Sequence, residues 1–122
     1  KTGPYIQYTC VRIASLMENA SAAGLTPAAF TEVTDGARSL VLTLDEFPAK
    51  LARAVDTRKP SNMAMHVYNL ANATNSFYQS NRVLADGVDA SVAASHLGLL
   101  AAAKGQLELG LKLLGIEVPA KM

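Results

Sequence analysis

Residues 61–78 run SNMAMHVYNLANATNSFY, with Met63, Val67, Leu70, Thr74 and Phe77 at alternating spacings of four and three. At 3.6 residues per turn these five side chains share one face, so the stretch reads as a long amphipathic helix. Ser61 is placed to cap it. The same period runs outward through the chain. Ile6, Cys10, Ile13, Met17 and Ala20 mark a first helix after Gly3-Pro4, with Gly24 as its stop. Ala37, Leu40, Val41, Leu44 and Phe47 mark a second, and Pro48 opens a third with Leu51 and Val55 inward. Asp89 or Ser91 caps a fifth, in which Leu100, Leu107, Leu111 and Leu114 share a face and Gly115 ends the run.

Between these runs, Leu25–Gly36 reads as a loop with one turn begun by Thr26-Pro27, and Arg58-Lys59-Pro60 as a connector. Ala85-Asp86-Gly87 is a second loop, and Glu117-Val118-Pro119 an extended tail. The expectation is all-α: an antiparallel helical bundle of about five helices, one domain over 1–122. Ile13, Met17, Leu70, Phe77, Leu107 and Leu111 are its expected core.

Composition narrows the function. Eleven basic against ten acidic residues leave a net charge of +1 over 122 residues. That balance excludes a protein gripping a long phosphate backbone by charge, but not one that stacks on bases and hydrogen-bonds to them. The single cysteine, Cys10, makes no internal disulfide, and with His66 and His96 it gives no zinc-ligand spacing. The longest apolar run, Leu97–Ala103, is far short of the roughly 20 residues that span a bilayer. No signal peptide is legible, so the sequons at Asn19 and Asn72 read as chance and the expected setting is cytoplasmic, with no membrane partner. The chain opens at Lys1 without Met, which reads as a piece of something longer.

Catalytic constellations are missing. No phosphate-cradling Gly-rich loop with a following Lys occurs, nor an H-E-x-x-H, and Asp45-Glu46 diverge on a helix. Cys10 lies on the apolar face as a packed thiol, and the two histidines read as packing or surface residues.

Two helix faces stand apart from the core stripe. On the first helix Tyr5, Tyr8, Arg12, Ser15 and Asn19 share a sector away from Ile6, Cys10, Ile13 and Met17. On the fourth, Tyr68, Asn75, Tyr78 and Arg82 gather likewise. From periodicity alone such faces read first as helix–helix contacts, and second as platforms on which unpaired bases stack.

At these residues the sequence resembles the C-terminal anticodon-binding domain of arginyl-tRNA synthetases. The opening from Gly3 to Leu16, GPYIQYTCVRIASL, is similar to that domain's start. Tyr68-Asn69-Leu70-Ala71, Asn75-Ser76-Phe77-Tyr78 and Arg82-Val83-Leu84 are similar to its central helix and following loop, and Gly110–Met122, GLKLLGIEVPAKM, to its closing motif. The match is weakest over Leu25–Asp35, which reads as an insertion.

The resemblance implies an all-α module following a class I catalytic domain of the same chain, which attaches arginine to tRNA with ATP and magnesium. The H-I-G-H-type and K-M-S-K-type signatures of that chemistry do not occur here, so no catalytic residue or cofactor is assigned to these residues. By resemblance the module holds the anticodon loop of arginine tRNA, with no role on DNA. Tyr5 and Tyr8 match the family's paired tyrosines, Arg12 the basic position after them, Tyr78 an aromatic of the central helix, and Met122 the terminal residue near the anticodon. Asn75 and Arg82 are weaker transfers, and Arg12 and Arg82 are expected to screen phosphates. Some relatives carry a Trp soon after the Tyr78 position; this chain has none. The alternatives are a helical protein–protein module and the related tRNA-binding domain of another synthetase, such as the glycyl enzyme.

Overall fold

The computed structural model describes residues 2–28, 35–81, 87–116 and 119. Five helices lie among the described residues: α1 (Thr2–Ala22), α2 (Asp35–Asp45), α3 (Phe47–Thr57), α4 (Ser61–Ser80) and α5 (Ala90–Leu113). No strand occurs among the described residues. Of the loops expected from sequence, residues 29–34 and 85–86 lie outside the described residues, as do 117–118 of the tail.

The helix ends follow local chemistry. Gly24 adopts φ +82 and Gly115 φ +78, the left-handed turn that lets the next amide reach back into the last helical turn. Leu25 N donates to Ala20 O at 2.9 Å, and Ile116 N to Leu111 O at 2.8 Å. Asp89 caps α5, its carboxylate accepting from Ser91 N at 2.8 Å. Hydrogen bonds from Ser91 hold that carboxyl below its ordinary range. Ser61 does not cap α4: Pro60, already helical at φ −69 and ψ −12, takes the cap position and draws Ser61 into the first turn.

The long helices set the frame. α5 runs antiparallel to α4: His66 meets Gln106 near one end, and the Phe77 and His96 rings meet edge-on at 5.2 Å near the other. Gly110 lets the helices close, because a Cβ there would collide with Val67 Cγ2. Gly3 faces Ile116, so α1 is antiparallel to α5 as well; α1 and α4 therefore run in the same sense. The segment that ends at Ala28 lies across α5, with Ala28 N donating to Ala94 O at 2.9 Å. Its carbonyl sits where a side chain at Gly98 would start.

Ile13, Leu70, Phe77, Leu107 and Leu111 are buried as their spacing requires. Met17 is only half-buried, and Leu16 takes the core position instead. Leu114 is likewise half-buried. Val55 turns outward and is 66% exposed, because α3 packs through Leu51 and Ala54, one residue short of the expected face. His66 is a buried packing residue. Gln106 Nε2 donates to Leu44 O at 2.9 Å, leaving its oxygen to accept from His66 Nε2 at 3.1 Å. The Phe47 ring stands 5.6 Å from the imidazole. That chain of contacts fastens α2 to α4 and α5.

Candidate nucleic-acid interface

The two polar-aromatic faces meet along the α1–α4 crossing and make one seam. Asn75 stands at its centre. Its Nδ2 donates to Tyr5 Oη at 3.0 Å and to Thr9 Oγ1 at 2.9 Å. Its Oδ1 accepts from Arg12 Nη1 at 3.3 Å. Tyr5 Oη donates in turn to Asn72 Oδ1 at 2.8 Å, and Thr9 Oγ1 to Tyr5 O at 3.0 Å. The Arg12 guanidinium lies 4.3 Å from the centre of the Tyr78 ring, a cation–π contact that keeps the arginine flat against the seam. The Tyr5 and Tyr68 rings meet at 5.9 Å and 55°.

Four of the expected site residues are thus brought together: Tyr5, Arg12, Asn75 and Tyr78. All four are half-buried. Tyr5 and Tyr78 pack on the hydrophobic core as well, so Tyr5 is less separate from the core than its helix sector implied. Tyr8 stands one turn further along α1 and is 51% exposed. Ser15 and Asn19 are exposed too. Arg82 and Met122 lie outside the described residues.

Thr9 and Asn72 are the members that periodicity did not single out. Thr9 follows Tyr5 by four residues, and Asn72 follows Tyr68 by four and precedes Asn75 by three. Their spacing carried the signal, but a small polar side chain beside an apolar stripe reads as solvated until its partner is known.

The charge pattern is one-sided. α4 contains no Asp or Glu, and α1 has only Glu18, near its far end. Arg12 is the cation within the seam. A surface of tyrosines, amides and one guanidinium, free of carboxylates, accepts a polyanion without repulsion and offers flat rings to bases.

Cys10 packs on the opposite side of α1. Burial pushes its thiol up from an ordinary 9.0 to about 11, with Glu108 adding to the rise and Lys104 opposing it. It is therefore a protonated core residue and a poor nucleophile. Among the described residues no three His, Cys, Asp or Glu side chains converge as a metal site.

This helical module belongs to the DALR anticodon binding domain family, whose model matches residues 6–122. Its relatives are arginine–tRNA ligases. The chain is 46% identical over its whole length to 21% of the ligase of Maricaulis maris, and 41% identical to 20% of that of Hyphomonas neptunium. The fold also matches a Thermus thermophilus arginyl-tRNA synthetase structure, with a TM-score of 0.83 and 28% identity over 98% of this chain and 21% of that one. The chain spans about a fifth of the length of the curated relatives it matches. No described helix is long and apolar enough to cross a membrane.

Proposed function

We propose that the α1–α4 seam holds the anticodon loop of an arginine tRNA for an enzyme that attaches arginine to it. The observation that carries this reading is the seam: tyrosines, amides and Arg12 joined across two helices with no carboxylate between them. Anticodon bases, unstacked from one another, stack on the exposed Tyr8 ring and touch the edges of Tyr5 and Tyr78, while Arg12 faces the backbone. Arg82 and Met122 join the site by family likeness. These residues form one domain of a longer cytoplasmic chain; they bind and do not catalyse. ATP and magnesium serve the catalytic domain of the same chain.

Chemical footprinting of an arginine tRNA transcript on the full-length protein tests the reading. Protection of the anticodon-loop bases is the expected result. Full reactivity of those bases in the complex, with protection elsewhere, would overturn it.

A further inference from the structure

The hydrogen bonds of the seam have a direction, and Arg12 sets it. A guanidinium carries donors only, so the oxygen of the Asn75 amide is the atom that turns to Arg12 Nη1, at 3.3 Å. Asn75 Nδ2 then faces the other way and donates to Tyr5 Oη at 3.0 Å and to Thr9 Oγ1 at 2.9 Å. Thr9 places its own proton on Tyr5 O at 3.0 Å. Tyr5 Oη, accepting from Asn75, has one proton to give, and gives it to Asn72 Oδ1 at 2.8 Å. Each link fixes the next. The relay ends at Asn72, with the amide oxygen turned in to Tyr5 and Nδ2 turned away from it.

That end of the relay faces water. Thr9 is buried and Tyr5, Arg12 and Asn75 are half-buried, whereas Asn72 is exposed. Tyr68 stands one turn before it on the same face of α4, with its ring against Tyr5 and 38% exposed. An open ring beside an oriented amide is the pair of elements that recognition of an unpaired base uses: the ring takes the face of the base, the amide its edge. An unrestrained asparagine is indifferent at such an edge, because it rotates to offer either its oxygen or its nitrogen. Asn72 differs, since Tyr5 holds its oxygen and leaves the donors outward. Those donors match the keto oxygen of G or U and meet the amino group of A or C donor to donor.

We infer that Asn72 is a specificity-determining residue of the seam: its amide N–H, oriented through Tyr5, reads a keto oxygen on one unpaired base and disfavours an amino group there. Tyr5 acts in this as a positioning residue. The inference rests on the reading of the seam as the anticodon site.

The test measures the affinity of the full-length protein for arginine tRNA transcripts in which each G of the anticodon is changed to A and each U to C, one at a time. At one position the keto base should be preferred by roughly tenfold. Asn72→Asp keeps an oxygen for the Tyr5 hydroxyl but replaces the outward donor by an acceptor; it should erase or invert that preference, with the melting temperature unchanged. Tyr5→Phe keeps Asn72 but frees its amide to turn, and should reduce the preference several-fold. A loss of affinity by Asn72→Asp that is equal for all transcripts would be the effect of charge alone and would overturn the inference. A preference that survives Tyr5→Phe undiminished overturns it too. Tyr8→Ala, measured alongside, keeps the two claims apart. Weaker binding by Tyr8→Ala, with the base preference indifferent to Asn72→Asp, overturns the role of Asn72 and leaves the seam standing. No loss from either variant overturns the reading of the seam itself.

Discussion

Asn75 commits both faces of its amide, two donors to Tyr5 and Thr9 and its oxygen to Arg12. A half-buried amide used this fully fixes the rotamers of its neighbours, and so sets where the Tyr5 ring and the Arg12 fork point. Asn75→Ala removes three hydrogen bonds together. It should destabilise the domain by about 1–3 kcal/mol, read as a lower midpoint in urea unfolding with the slope unchanged. Tyr5→Phe, which loses only the hydroxyl between Asn72 and Asn75, should cost about 0.5–1.5 kcal/mol. Equal midpoints for parent and Asn75→Ala would show that the network contributes nothing to holding α1 on α4. Cys10 makes the opposite case, a polarisable group kept neutral. Its folded pKa, about 11, lies above the ordinary 9.0, so the native state holds the proton more tightly than the unfolded chain does. The linked stability is fully present below pH 9 and is lost as pH rises toward 11. Native protein at pH 8 should resist thiol alkylation that unfolded protein undergoes rapidly; equal rates in the two states would contradict the burial of Cys10.

At the scale of the element, α4 and α5 depend on close packing. Leu107 is fully buried in the core, and Leu107→Ala should cost roughly 2–5 kcal/mol. Gly110→Ala drives a methyl into Val67 and should lower the melting temperature although Ala is the better helix former. A melt showing either variant as stable as the parent would mean that α5 does not pack as described. The periodic stripes placed α1, α2, α4 and α5 because long apolar repeats leave little choice of face. They misplaced Val55 and Met17 because neighbouring positions on an amphipathic face differ by less than the width of the stripe. Ser61 looked like a cap because its type favours caps; only the helical torsions of Pro60 show otherwise.

For the whole molecule, two sectors that periodicity found separately turn out to be the two sides of one crossing. That α1 and α4 run in the same sense, set by α5 lying antiparallel to both, is what aligns Tyr5 with Asn72 and Arg12 with Tyr78. No single-helix pattern contains this information, since it depends on how three helices are arranged. The residues were legible, and the resemblance named a role for them. The network that binds them was not, because Thr9 and Asn72 acquire meaning only from partners more than sixty positions away. Contact across the crossing and contact with RNA are then compatible: Tyr5, Arg12 and Asn75 build the surface, and Tyr8 projects from it. Tyr8 is accordingly the residue whose loss separates binding from folding. The most direct measurement is the affinity of the full-length protein for an arginine tRNA transcript with and without Tyr8→Ala, with circular dichroism melts of both. If Tyr8 stacks on an anticodon base, binding weakens by about 1–3 kcal/mol, the range for losing one base–aromatic stack, while the melts coincide. Unchanged affinity, or a loss of affinity that simply follows unfolding, would contradict it.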